Sequence, residues 1–332
     1  MFDVDVALSS CDFYTCPISS SPYGYQPSTT ANSIFVAIFT TTLVTCLIYI
    51  ISKRKWLDFS ICMLIACVFE IVGFAARLWS SFSPWDTRLF AVSISFLTVA
   101  PAFSTAGIYT TICETITILG AEHSPIESTR YLQLIWVEGA GFVVQLIGIA
   151  AAFLDLSATT GLDTISEKGT RIMAVGVGLQ AVSIACFVAM FTVVIVKASF
   201  MHRHFGYTTF HYEHGFVPLT RKFKIFLVVM TMAAICLLAR AVFQTILLGS
   251  GFGSGIAKNE AMFTGFNGFL VALSVVGLTN AHPASFLQDG LKERRFYRSD
   301  SDSILLQRPR PCGTNHHQHG EGVASFAPEN II

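Results

Sequence analysis

Residues 57–79 read LDFSICMLIACVFEIVGFAARLW, and only Asp58, Glu70 and Arg77 in them carry charge. A bilayer core about 30 Å thick takes roughly 20 apolar residues of helix at 1.5 Å per residue. This stretch meets that length and exceeds what a soluble core helix needs. Glu70 and Arg77 are seven residues apart. Two helical turns separate them, so they share one face of the helix. Each charge inside such a span costs roughly 2.5–3.5 kcal/mol, so that face turns toward a protein interior.

Six further stretches have the same character: 33–52, 89–117, 132–154, 172–196, 223–248 and 261–281. Over the 332 residues, 53% are hydrophobic and 13% charged. Soluble proteins carry roughly 25% charged residues, which excludes a pair of soluble domains. The expected fold is all-α, a polytopic membrane protein with a seven-transmembrane-helix bundle. The net charge of zero also excludes a nucleic-acid partner, since phosphate contacts need surplus Lys and Arg.

Orientation follows from where Lys and Arg fall. One set of loops and the tail hold fifteen: Lys53, Arg54, Lys55, Arg130, Lys197, Arg203, Arg221, Lys222, Lys224 and six between Lys292 and Arg310. The other set holds Arg88, Lys168, Arg171 and Lys258, and Arg77 and Arg240 lie within spans. The N-terminus is therefore expected outside and the C-terminus in the cytosol. This divides the chain into an extracellular segment 1–32, a membrane domain 33–283 and a cytosolic polar tail 284–332. Residues 1–32 contain Asp but no Lys or Arg, so no cleavable signal peptide is expected and the first span acts as the insertion signal.

Cys11 and Cys16 fall in the outer segment, where an oxidising setting favours a disulfide between them. Cys46, Cys62, Cys67, Cys113, Cys186 and Cys236 lie in apolar stretches and read as packing residues. His202, His204, His211 and His214 in one loop lack a supporting Cys or acidic cluster, and His316, His317 and His319 in the tail read as a solvated compositional tract. Neither a metal nor a cofactor is expected. Gly249–Gly255 follows no strand and lacks the Lys-Ser/Thr of a phosphate loop, so it reads as a linker.

The polar residues of the spans are few and spaced by turns. Glu138 and Gln145 repeat the seven-residue spacing in span four, Arg240 and Gln244 sit one turn apart in span six, and Asn267, Asn280 and His282 add polar groups along span seven. Two readings fit: helix–helix glue, or a polar lining for a substrate path. In either, two acids can meet two bases and cancel. Gly139, Gly141, Gly148, Gly176 and Gly178 are expected to permit close helix contact, and Pro101 to kink span three.

Six ordered motifs over residues 22–290 make the chain resemble the fungal aminocholesterol-resistance, or lipid-translocating exporter, family. They are Tyr23-Gly-Tyr25-x-Pro27-Ser28-x-x-Ala31-Asn32-x-x-Phe35, Glu70-x-x-Gly73-Phe74-x-x-Arg77, Ala100-Pro101 with Ala106 and Tyr109, Glu138 with Gln145 and Gly148, Arg240 with Phe243, and His282-Pro283. The family's acid in span four is usually Asp. Gln244, Leu247, Asn267 and Glu114 stand where it carries Arg, Glu, Asp and a basic residue, and Ala284 where Gly is common. The resemblance implies a multi-pass plasma-membrane protein that translocates or exports amphipathic lipids, of sphingoid-base or sterol-like kind, and confers tolerance to lipophilic toxins. It brings no cofactor and no ATP motif. The alternative it leaves is a seven-span lipid or stress sensor that regulates other transporters.

Rival classes lack their residues. A G-protein-coupled receptor would not end span three in Cys113-Glu114-Thr115, and a retinal protein needs a Lys that 261–281 does not contain. A membrane hydrolase needs several His at bilayer level, and only His282 is near a span. No enzymatic activity is expected. The candidate buried polar network is Glu70, Arg77, Glu138, Gln145, Arg240, Gln244, Asn267 and His282. The first five are expected to line one polar interior, with Glu70 or Glu138 as counter-ion to a cationic amine. The partners are membrane lipids or lipophilic small molecules, and self-association stays open.

Overall fold

The computed structural model describes residues 11, 13–54, 56–119, 123–125, 128–153, 166–205, 210–211, 215–216 and 220–287. The His-rich tail, His214 and the side chain of His211 lie outside the described residues.

Seven long helices carry the fold: α1 Thr29–Lys53, α2 Leu57–Ser80, α3 Thr87–Leu119, α4 Gln133–Phe153, α5 Glu167–Phe205, α6 Arg221–Ser250 and α7 Glu260–Asn280. Each is long and apolar enough to cross a bilayer. A short helix, α8, runs over Pro283–Phe286. A two-residue antiparallel ladder pairs Phe210–His211 with Gly215–Phe216 in the α5–α6 connection.

The helices begin where a side chain can take over a terminal N–H. Ser28, Thr220 and Asn259 accept from the backbone N–H of Ala31, Phe223 and Met262, capping α1, α6 and α7. The expected spans agree with the helices except at α5, whose 39 residues make it about 58 Å long. Its polar ends, Glu167–Arg171 and Lys197–Phe205, stay helical beyond the apolar stretch. The polarity that bounds the membrane segment does not end the helix.

The bundle is apolar outside and polar within. Val44, Ile48, Ile147, Val182, Val196 and Val228 face outward, while Glu70, Arg77, Glu138 and Arg240 are each at most 3% exposed. That arrangement suits a lipid solvent, where backbone groups are satisfied inside each helix and side-chain charge is sheltered between helices. Trp79 and Trp136 are exposed near opposite ends of the bundle, as in an interfacial aromatic belt.

Helix α3 is central and touches α2, α4, α5 and α6, while α1 closes the bundle against α2 and α7. At the end carrying residues 13–28, here the N-side, Ser28 N–H donates to Glu260 Oε1 at 2.6 Å and Trp85 Nε1 to Ser20 Oγ at 3.2 Å. Cys11 and Cys16 are joined in a disulfide on this segment. At the opposite end, the C-side, Cys46 Sγ lies 3.6 Å from Thr279 Oγ1. Cys67 and Cys236 are also buried, whereas Cys186 faces outward.

Gly249–Gly255 is more than a linker. Gly251 (φ 79°) ends α6, and Phe252 packs edge-on against Phe90 with ring centroids 5.0 Å apart.

Candidate functional site

Pro101 lies inside α3 and has no N–H to give the carbonyl of Leu97, one turn earlier. Arg240 from α6 supplies the missing donor. Its Nη2 donates to Leu97 O at 2.6 Å, and its Nε donates to Asn267 Oδ1 at 3.1 Å. One turn along α6, Gln244 Nε2 donates to Thr98 Oγ1 at 3.1 Å. Two side chains of α6 thus hold the broken turn of α3.

Local sequence brings these groups together. Gly73 on α2 lets α3 approach closely, since a Cβ there would stand 2.6 Å from Leu97 Cγ. Thr264–Phe269 of α7 is a π-helical turn, which re-aims Asn267 toward Arg240. Such turns often mark functional positions.

Glu70 of α2 completes this junction of four helices. It and Arg240 are the charges that act on one another. Yet neither Glu70 oxygen has a hydrogen-bond partner, and Gln244 Oε1 and Asn267 Nδ2 are also buried without one. A carboxylate, an amide oxygen and an amide N–H are therefore left for a guest with both donors and acceptors.

The other candidates fall in separate places. Arg77 is two turns from Glu70, about 10 Å along α2. It donates to the Tyr25 hydroxyl and lies 4.0 Å from the Phe263 ring centroid and 5.0 Å from that of Tyr23. Tyr23 in turn donates to Ser80 Oγ at 3.1 Å. Burial pushes both tyrosine hydroxyls up, against the pull of Arg77. This is a cation held by aromatic faces, without a hydrogen-bonded acid.

Glu138 of α4 sits beside Tyr109 of α3 and Ser183 of α5, which are 3.0 Å apart, and neither of its oxygens is hydrogen-bonded. Gln145 Nε2 donates to Gln180 Oε1 at 2.5 Å across the α4–α5 seam. Here the helices touch backbone to backbone: a Cβ on Gly176 would lie 2.7 Å from Gln145 N and Gly141 O. Gly141, Gly148 and Gly176 make this seam, whereas Gly139 has nothing within 4 Å and Gly178 only ordinary contact.

His282 lies on the C-side. Its Nδ1 accepts from Ala284 N–H at 3.1 Å, so Nε2 carries the proton and donates to Ser60 Oγ at 2.9 Å. Ser60 passes its own proton to Trp56 O at 3.0 Å. The ring stacks on Tyr49 with centroids 4.2 Å apart. Burial, and to a lesser extent Lys53, pushes its pKa down to about 4.

The expected meeting of two acids with two bases is not built as hydrogen-bonded pairs, although Glu70 and Arg240 act on one another through space. Arg77 bonds to Tyr25 and Arg240 to Leu97 and Asn267, so neither base hydrogen-bonds to either acid. The structure brings together Glu70, Arg240, Gln244 and Asn267, and leaves Arg77, Glu138, Gln145 and His282 in four other settings. Sequence reasoning missed Leu97 O, Thr98, Gln180 and Ser183. Only Pro101, as the source of an unbonded carbonyl, signalled any of them. Among the described residues no three His, Cys, Asp or Glu side chains are placed to hold a metal.

The sequence pattern of the family described as RTA1 like protein matches residues 63–290, which includes this junction whole. The chain belongs to the RTA1 like protein family. Among curated relatives, the sphingoid long-chain base transporter RSB1 of Saccharomyces cerevisiae strains YJM789 and RM11-1a is 23% identical over 289 residues, covering 80% of this chain and 74% of the relative. The same protein of strain ATCC 204508 / S288c gives the same identity and coverage. No solved structure matches the chain. This RTA1 like protein is thus a multi-pass membrane protein with seven spans, in a family that includes lipid transporters.

Proposed function

We propose that this protein translocates or exports amphipathic lipids with a cationic amine head, of the sphingoid-base class, and so confers tolerance to lipophilic toxins. The observation that carries this reading is Glu70, a fully buried carboxylate in mid-span with both oxygens unpartnered. An ammonium head offers the donors that Glu70 and Gln244 Oε1 lack, and a hydroxyl beside it could accept from Asn267 Nδ2. The name of the yeast relatives supports the same substrate class.

The fifteen-to-four division of basic residues supports a topology with residues 1–32 outside and 284–332 in the cytosol, and the reading places the protein in the plasma membrane. It involves no chemical conversion of the lipid. A second reading, a lipid sensor that regulates transporters, is favoured by one observation: the polar residues are divided among several packed clusters.

The test is reconstitution of the purified chain in liposomes with a labelled sphingoid base. Faster exchange between leaflets than in empty vesicles, slowed but not abolished in Glu70→Gln, is expected. Exchange equal to that of empty vesicles rejects transport and leaves the sensor.

A further inference from the structure

Near the C-side ends of α5 and α6 lies a groove of about 470 Å³, away from the Glu70 junction. Its floor is apolar: Ile195 and Ala198 of α5 face Leu227, Val228 and Met232 of α6. Its mouth is basic. His202, Arg203 and Lys224 line it, and among the described residues no Asp or Glu does. Lys224 Nζ and His202 Nε2 are 3.3 Å apart, while His202 Nδ1 is buried without a hydrogen-bond partner.

Position along the helices gives the groove its polarity. His202 and Arg203 follow the apolar part of α5, which ends at Lys197, and Lys224 lies in the first turn of α6. The basic mouth is therefore at headgroup level. From Lys224 to Met232 the floor descends about 12 Å into the apolar layer. Val228 on this wall is 64% exposed, so the groove opens sideways to lipid. Two fixed cations above an apolar trough complement a phosphate joined to a hydrocarbon chain, and they repel a cationic sphingoid base.

We propose that this groove binds one anionic phospholipid of the leaflet on the C-side, its phosphate held by Arg203 and Lys224 and one acyl chain laid between α5 and α6. His202 Nδ1 supplies a further polar contact to the head. The site is separate from the proposed transport site.

The test uses the full chain in detergent, with dioctanoyl phosphatidic acid, dioctanoyl phosphatidylcholine and inorganic phosphate as probes, read by native mass spectrometry. Phosphatidic acid is expected to bind about tenfold more tightly than phosphatidylcholine, as two basic residues at a surface allow. Inorganic phosphate should not displace it. The exposed pair Arg203→Gln and Lys224→Gln should erase that preference, and Val228→Trp, which fills the trough, should weaken both lipids. Equal binding of the two lipids, displacement by phosphate alone, or an unchanged preference in the double variant would each overturn the proposal. The first two readings need only the wild-type chain. Leaflet exchange of sphingoid base, measured on the same preparations, reports on the Glu70 site independently.

Discussion

The guanidinium of Arg240 completes a hydrogen bond that the backbone of α3 cannot make: its Nη2 meets the carbonyl oxygen of Leu97 at 2.6 Å, opposite the missing N–H of Pro101. A side chain of one span thereby serves as part of the main-chain ladder of another. An unbonded carbonyl in the central helix and a buried cation, each costly alone, satisfy one another.

Because of this mutual satisfaction, Arg240→Gln and Pro101→Ala should not act independently. Arg240→Gln strips partners from Leu97 O and Asn267 Oδ1 and should destabilise the protein by about 2 kcal/mol, on the scale of hydrogen bonds to a charged group. Pro101→Ala returns an N–H to Leu97 O, so the double variant should be more stable than the sum of the single effects allows. A double-mutant cycle on thermal unfolding checks this, and strict additivity would contradict the shared carbonyl.

At Asn267, the Oδ1 serves Arg240 while the Nδ2 is buried with no acceptor. Asn267→Asp removes that stranded donor and gives Arg240 a charged partner. The unfolding midpoint should rise, by a stability gain of about 1 kcal/mol. A lower midpoint would mean that a guest or water already satisfies Nδ2.

The two unpartnered carboxylates occupy different helix junctions and share no hydrogen-bonding neighbour. Glu70→Gln and Glu138→Gln should therefore have multiplicative effects on sphingoid-base exchange, with Glu70 the larger, since only it lies beside Arg240, Gln244 and Asn267. A double variant no worse than the more severe single one would instead indicate one continuous path.

Along the α4–α5 seam the cost of a methyl group should depend on the face. Gly176→Ala forces apart backbones that already touch and should cost about 2 kcal/mol. Gly139→Ala, with nothing within 4 Å, should be neutral or stabilising by a few tenths of a kcal/mol. Unfolding midpoints of the two variants provide the comparison.

His282 gives the C-side a pH dependence of known sign. Its folded pKa, about 4, lies below the usual value of 6.5, so the unfolded chain binds the extra proton between these limits. Its contribution to stability is present above pH 6.5 and is lost as pH falls toward 4. Protonation at Nδ1 would also set two N–H groups, its own and that of Ala284, against each other. His282→Asn should flatten this part of the pH–stability curve, measured by unfolding at constant ionic strength.

The seven spans were legible because each is a local run, and length and apolarity alone identify it. The inward placement of Glu70, Arg77, Glu138 and Arg240 was legible too, since lipid leaves charge nowhere else to go. Pairing was not. Whether Arg240 meets Glu70 or a carbonyl depends on Gly73 admitting α3, on Pro101 freeing Leu97 O, and on a π turn rotating Asn267. Each condition belongs to one helix, but which helices they join is a long-range matter that no local spacing encodes. By sequence His282 belongs with the polar residues of the spans, but its hydrogen bonds make it the start of α8 and a latch on Ser60.

Helix α7 is the last span in chain order among the described residues, yet it supplies Glu260 to the backbone before α1, Phe263 to Arg77, Asn267 to Arg240 and Thr279 to Cys46. A chain elongated only as far as α6 therefore lacks the ring that lies over Arg77 and the amide that accepts from Arg240, so both intramembrane cations keep part of their desolvation cost until α7 docks.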